Sequence, residues 1–151
     1  MAKALIIGYG NVLRRDDGVG SHAAHRLAAM MDDADVEVVE AQQLTPEMAE
    51  PVSRADVVIF IDAACGTPAG KVEYHAVEPA AAAGSAFTHH TDPAGILQAA
   101  SALYGRSPQA VAITVTGRSF EMGEGLSDEV AGAVAEVLGI VERIIAGGPL
   151  A

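Results

Sequence analysis

The stretch Val57-Val58-Ile59-Phe60-Ile61, with Asp62 directly after it, decides the fold of this chain. A continuous run of β-branched and aromatic residues is typical of a central strand that helices cover on both faces. Three other apolar runs predict strands, at Ala4–Gly8, Val36–Glu40 and Ala110–Val115. Because helical patterns separate these runs, the sequence predicts an α/β fold with a largely parallel central sheet.

Helical spacing and helix-start signals indicate what lies between the strands. Apolar residues recur on one face in three segments, which are Val19, Ala23, Leu27 and Met30, then Ile96, Leu97, Ala100 and Leu103, then Val130, Val134, Val137, Val141 and Ile144. Typical helix beginnings are Thr45-Pro46-Glu47, Asp92-Pro93 and Ser127-Asp128-Glu129. The alternating segment Lys71–Val77 predicts an edge or antiparallel strand, so we expect about five strands.

Size and charge narrow the class of protein. With 151 residues, of which 50% are hydrophobic, we expect one domain spanning residues 1–151. The 20 acidic residues outnumber the 9 basic residues and leave a formal charge of -11, and the arginines are spread along the chain. A polyanion would therefore meet net repulsion, which argues against nucleic-acid binding.

Cysteine content and the N-terminus indicate the compartment. Cys65 is the only cysteine, so neither an internal disulfide nor a cysteine-rich zinc site can form. The apolar run Ala4–Gly8 is too short for a signal peptide or a membrane span. We therefore expect a cytoplasmic protein that does not bind a membrane.

Polar side chains follow the predicted strands, at the edge where parallel strands of an open sheet bind ligands. They are Asp16 and Asp17 after the first strand, Asp62 after the third, and His89 and His90 just before a helix. Each has an ordinary explanation as a helix-start acid, a partner for turn amides or a surface residue. Two carboxylates and an imidazole that converge at one edge nevertheless predict an open site for a divalent transition metal.

Other kinds of site fit the sequence less well. After Gly8-Tyr9-Gly10, the third glycine of a dinucleotide fingerprint would fall at Leu13, where a side chain obstructs helix packing. Cys65 follows Asp62 closely, but no spacing rule supports a cysteine-histidine pair. Ser119 lies in Gly-Arg-Ser-Phe-Glu, which lacks the Gly-x-Ser-x-Gly pattern of many serine hydrolases.

A family signature occupies the first loop, which reads Gly8-x-Gly10-Asn11-x-Leu13-x-x-Asp16-Asp17-Gly18-x-Gly20. It closely resembles the opening motif of the hydrogenase maturation endopeptidases, nickel-dependent proteases that trim the large subunit of nickel-iron hydrogenases. Phe60-Ile61-Asp62-Ala63 resembles the third-strand segment of that family, and Thr88-His89 with Asp92-Pro93 resembles its histidine loop. The resemblance implies a three-layer α/β/α sandwich, which agrees with the alternation of strands and helices.

The resemblance also implies the site residues and the reaction. Carried over to this chain, the metal ligands are Asp17, Asp62 and His89, with Asp16 as a supporting residue of the catalytic site. His89 is preferred to His90 for its spacing to the following helix. The implied enzyme is an endopeptidase that removes the C-terminal extension of a nickel-loaded hydrogenase large-subunit precursor. The nickel is expected to arrive with the substrate, and other divalent transition metals are expected to substitute for it.

Several alternatives stay open at this point. Asp16 or a free oxygen of Asp62 could act as general base, while the shared ion could instead polarise the scissile carbonyl. A second function is a non-proteolytic metal-binding module of hydrogenase assembly with the same fold. Residues 40–47 replace a glycine pair found in many members, which leaves the choice of substrate open. We expect a monomer whose partner is the precursor.

Overall fold

The computed structural model describes residues 3–81 and 92–147, which form a five-stranded sheet with helices on both faces. The strands are β1 (Ala4–Tyr9), β2 (Val36–Ala41), β3 (Val57–Ala64), β4 (Val72–Ala76) and β5 (Gln109–Thr116). Their order is β2-β1-β3-β5-β4. β4 is antiparallel to β5, and the other neighbours are parallel. The predicted mostly parallel α/β fold is confirmed, with β3 at its centre.

Four α-helices lie in the described chain, two on each face of the sheet. They are α1 (Val19–Met30), α2 (Ala49–Arg54), α3 (Pro93–Tyr104) and α4 (Asp128–Ile145). Short 3-10 turns, Arg15–Gly18 and Pro46–Met48, lead directly into α1 and α2. The core under α1 and α4 is separate from the core under α2 and α3, which makes the predicted three layers. None of these described helices has both the length and the apolar composition needed to cross a bilayer.

The alternation of side chains along β3 explains where Asp62 points. Ile59 and Ile61 pack toward α1 and α4, whereas Val58 and Phe60 pack toward α2 and α3. Asp62 is the next residue on the face of Phe60. The prediction that Asp62 ends the strand is wrong, because pairing with β5 continues through Ala64.

Glycines bring the first turn of α1 against the ends of the central strands. A Cβ atom on Gly8 would lie 2.1 Å from the carbonyl oxygen of Gly20, and one on Gly20 would lie 2.2 Å from that of Ile61. Gly10 has a φ of 147°, and a Cβ atom there would lie 1.8 Å from the carbonyl oxygen of Asp17. Side chains at these positions would push the loop, and the acid it carries, away from β3.

The helix ends differ from the predicted pattern in detail. Asp92 caps α3 as expected, since its Oδ1 accepts a hydrogen bond from Gly95 N at 2.7 Å. Thr45 and Ser127 stand at predicted N-cap positions, but neither makes a side-chain capping bond. Met30 and Leu103 share the spacing of core residues, yet they are 50% and 71% exposed. Both belong to the last turn of a helix, where the chain leaves the core.

Candidate active site

Asp62 and Asp17 both lie at the carboxyl-terminal edge of the sheet, near enough for the charge of Asp17 to act on Asp62. The pKa of Asp62 is raised to about 6, mainly by burial and also by the negative charge of Asp17. The hydrogen bonds that Asp62 accepts from Ala63 N, at 2.7 Å, and from the Tyr9 hydroxyl act in the opposite direction. A half-buried carboxylate beside a second acid is costly to keep charged, which is typical of carboxylates at functional sites.

Tyr9 is a member of this site that the sequence analysis missed. Burial and the charge of Asp62 raise the pKa of its hydroxyl well above the ordinary value, so Tyr9 stays protonated and donates to Asp62. Strand alternation offers a signal, because Tyr9 follows Leu5 and Ile7 on the β1 face that packs toward α2 and α3.

Asp17 is held by the first loop and is only partly buried. Its Oδ2 accepts a hydrogen bond from Asn11 N at 2.8 Å, and its own N–H donates to Arg14 O at 3.1 Å. The 3-10 turn Arg15–Gly18 presents Asp17 just before α1 begins. The sequence Asn-x-x-x-x-x-Asp therefore forms a closed loop that aims one carboxylate at the end of β3.

Asp16, the neighbour of Asp17, has a different environment. Its side chain is fully buried, and it accepts four hydrogen bonds, from Arg118 N at 2.8 Å, Ser119 N at 3.0 Å, Ser127 N at 2.7 Å and Ser127 Oγ at 2.8 Å. Burial raises its pKa, but these hydrogen bonds outweigh burial and hold the pKa below its ordinary value. Asp16 thus ties the loop after β1 to the loop after β5.

Ser127 is a second residue whose part in the site the sequence analysis missed. Its position before α4 indicates a helix cap, but its hydroxyl donates to Asp16 instead. No local pattern announces this contact, because the two residues are 111 positions apart.

Backbone pairing reinforces the junction between the two loops. Arg15 N donates to Gly123 O at 2.9 Å, and Gly123 N donates to Leu13 O at 2.8 Å. Arg15 has a φ of 49°, which is unusual for a residue other than glycine. The loop that carries Asp17 is therefore braced from both the side-chain and the backbone sides.

A cavity of about 290 Å³ opens beside Asp62 on the face of α3. Its lining includes Tyr9, Phe60, Asp62, His75 and Thr114, together with the first residues of α3. Apolar residues supply more than half of the lining and a few polar side chains the rest, which is the usual composition of a binding pocket. His75, on β4, is a residue that the sequence analysis did not single out.

The predicted histidines, His89 and His90, both lie outside the described residues, in the gap 82–91. Within residues 3–81 and 92–147, no group of three or more His, Cys, Asp or Glu side chains could hold a metal ion. The structure therefore brings two of the three predicted ligands to one edge, while the imidazole stays a prediction.

The two weaker nucleophile candidates have ordinary surroundings. Cys65 is exposed just beyond β3. The N–H of Ser119 donates a hydrogen bond to Asp16, and its Oγ accepts a hydrogen bond from Glu121 N at 3.4 Å. Both residues thus have positions that loop structure explains.

Solved structures of similar shape include a set of hydrogenase-processing enzymes. The hydrogenase maturating endopeptidase HybD from E. coli superposes with a TM-score of 0.76 and 19% identity, covering 96% of this chain and 94% of that one. The [NiFe] hydrogenase maturation protease HycI from Thermococcus kodakarensis KOD1 gives 0.76 and 20%, covering 97% and 94%. An endopeptidase from Escherichia coli gives 0.74 and 22%, covering 97% and 94%. At these identities the likeness concerns the fold.

Sequence comparison goes further than the fold. No curated protein matches this chain. The HycI family, described as hydrogenase maturation protease, matches residues 21–144. That match begins just after the loop Gly8–Gly20, so it is independent of the motif that carries Asp16 and Asp17. Because the match spans well over half of the chain, this protein belongs to the hydrogenase maturation protease family and is a peptidase.

Proposed function

We propose that this peptidase removes the C-terminal extension of a nickel-loaded hydrogenase large-subunit precursor, and that Asp17, Asp62 and His89 engage the nickel carried by that substrate. The observation that carries the proposal is the approach of Asp17 to Asp62 beside an open cavity, with the pKa of Asp62 raised to about 6. Among the described residues no ion pair with a basic side chain involves either acid, and a bound cation would relieve the repulsion between them.

The nickel carried by the substrate would serve both in recognition of the precursor and in cleavage of the peptide bond. Two carboxylates and one imidazole leave coordination positions open, so the ion can polarise the scissile carbonyl or activate a water molecule. Other divalent transition metals with the same ligand preference are expected to substitute. An open site of this kind suits an ion that enters and leaves with the precursor better than a permanently closed site does.

Asp62 is a better candidate for the general base than Asp16. Asp62 lines the cavity, where an oxygen not bound to nickel can accept a proton from water, and the Tyr9 hydroxyl donates a hydrogen bond to the same carboxylate. Asp16 has no exposed surface, and its oxygens already accept four hydrogen bonds. We therefore assign Asp16 to positioning: it holds the loop that presents Asp17.

The remaining parts of the proposal concern the setting. We propose that residues 1–151 act as one domain and as a monomer in the cytoplasm, where the precursor is the partner. The net charge of -11 favours a protein or peptide partner over nucleic acid.

Mass spectrometry of a nickel-loaded precursor incubated with the enzyme tests the proposal. We expect loss of the C-terminal extension with the wild-type enzyme and with Asp32→Asn, an exposed control in the turn after α1. Asp17→Asn and Asp62→Asn should abolish this loss and weaken binding of the nickel-loaded precursor. An unchanged precursor mass with retained binding to the wild-type enzyme would overturn the protease assignment in favour of an assembly module.

The histidine assignment needs its own pair of variants. We expect His89→Ala to lose processing and His90→Ala to retain it, because the resemblance selects the first histidine. The reverse result would move the ligand by one residue. Normal processing by both variants would remove the imidazole from the site.

A further inference from the structure

The edge strand β4 contributes a histidine to the cavity beside Asp62. His75 is opposite Ala112 in the β4–β5 pair, and Phe60 is opposite Ala112 in the β3–β5 pair. These residues therefore share one face of the sheet. Asp62 and Thr114, each two residues further along its strand, lie on the same face. His75, Asp62 and Thr114 line the same cavity.

The strand geometry sets the separation between His75 and Asp62. Neighbouring strands lie about 4.8 Å apart, and residues advance about 3.3 Å along a strand. The Cα atoms of His75 and Asp62 are offset by two strand spacings across the sheet and by two residues along it, which places them about 12 Å apart. Both side chains point into the space between, where β5 offers only Ala112 and Thr114. The cavity of about 290 Å³ has room for a peptide bond and an attacking water between these two side chains.

We propose that His75 donates the proton to the nitrogen of the departing C-terminal peptide. The proposal rests on the function proposed above and adds to it a group that contacts the substrate from the opposite wall of the cavity. His75 is exposed on an edge strand, so its imidazole is accessible to a substrate chain that enters from solvent.

The reaction balances with one acid and one base. The water oxygen forms a bond to the carbonyl carbon, and a proton of that water passes to a carboxylate of the site. The carbon–nitrogen bond breaks, its electron pair stays on the nitrogen, and the nitrogen takes a proton from His75. The imidazole then recovers a proton from solvent while the carboxylate releases one, so each cleavage consumes one water and leaves the enzyme unchanged.

The groups around His75 suit a departing amine. Asp62 faces it from β3, Tyr9 from β1 and Asp92 from the start of α3, while Glu73 shares its face of β4. Glu73 also pairs with Lys71 at 3.8 Å, two residues earlier in the chain. The carboxylates of Asp62 and Asp92 and the phenol of Tyr9 line the cavity where the new amine would form, and the negative charge of the carboxylates favours its protonated form.

Single-turnover cleavage of the nickel-loaded precursor, followed by mass spectrometry, tests the proposal. We expect His75→Gln to slow cleavage by about 100-fold or more while the precursor still binds, because glutamine can donate a hydrogen bond but cannot release a proton. His22→Gln is the matched control, since His22 is an exposed histidine on α1. It should cleave like the wild type.

Chemical rescue separates proton donation from a structural effect. His75→Ala should be slow alone and should recover part of its rate when imidazole is added. Cleavage by His75→Gln within about twofold of the wild type would overturn the proposal, and so would loss of precursor binding or failure of rescue. If the wild-type enzyme left the precursor intact, the proposed function itself would fail, which is a different result from a defect confined to His75 variants.

Discussion

Asp16 and Asp62 are two aspartates at the same edge of the sheet, but their surroundings shift their pKa values in opposite directions. Four donors surround the buried Asp16 and hold its pKa below the ordinary value. Asp62 is half-buried near another acid, and its pKa is raised to about 6. The number of donors that reach the carboxylate, rather than burial itself, decides whether it stabilises the fold or is available for chemistry.

The largest expected effect on stability is at Asp16. In Asp16→Asn, one oxygen becomes an NH2 group that faces backbone N–H donors, so at least one hydrogen bond is replaced by a clash of donors. We expect a loss of about 3 kcal/mol in the free energy of unfolding, measured with denaturant. Asp32→Asn serves as the exposed control. A loss below about 1 kcal/mol would mean that Asp16 is not the anchor described above.

Asp62→Asn should raise the free energy of unfolding, whereas Asp16→Asn lowers it. The pKa of Asp62 is about 6 in the folded protein against an ordinary 3.8, so charging it costs folding about 3 kcal/mol at most, and partial exposure reduces that to about 2 kcal/mol. We expect the asparagine variant to be more stable by about that amount at pH 7 while processing is lost. Equal or lower stability in a denaturant titration at pH 7 would contradict the assigned environment.

The pH dependence of the two variants sharpens the contrast. Because the pKa of Asp62 is raised on folding, the contribution of Asp62 to stability falls as pH rises from about 4 to about 6, so the advantage of Asp62→Asn should vanish near pH 4. The pKa of Asp16 is lowered, so its contribution persists above pH 4 and is lost only as pH falls further. Unfolding curves at pH 4, 5.5 and 7 distinguish the two patterns, and parallel profiles would argue against both assignments.

Ser127 provides a smaller and more local effect. Ser127→Ala removes the hydroxyl that donates to Asp16 but keeps the backbone donor. We expect a loss of about 1.5 kcal/mol in the free energy of unfolding, the low end for one hydrogen bond to a charged group. Ser101→Ala, at an exposed position of α3, should change stability little. The same small change at both serines would show that the hydroxyl contributes nothing.

Arg118 should show the smallest effect, although it touches the same junction. Its side chain pairs with Glu129 at 3.0 Å on the surface, whereas its backbone N–H is the group that binds Asp16. We expect Arg118→Ala to cost less than about 0.5 kcal/mol, because exposed ion pairs contribute little. A loss above about 1 kcal/mol that high salt does not reduce would show that the side chain also supports the loop.

Most of the fold was predictable from local pattern. The continuous run at β3, the alternation at β4 and the Asp92-Pro93 start of α3 each reflect short-range rules, and the structure confirms them. Met30 and Leu103 were harder to predict, because helical spacing does not reveal where a helix runs past the core. Asp62 was expected to end its strand, but pairing with a distant partner, β5, extends that strand by two residues.

In the candidate site, too, some features follow from local sequence and others from tertiary contacts. The sequence by itself determined which acids lie near the carboxyl-terminal edge of the sheet, since apolar runs and loop glycines are visible within a few residues of Asp17 and Asp62. Only the tertiary structure decided that Asp16 is saturated by the loop after β5, that Tyr9 supports Asp62, and that His75 lines the same cavity. Those assignments depend on donors and charges brought together from distant segments, and the number of such neighbours around a carboxylate sets its pKa and hence its role.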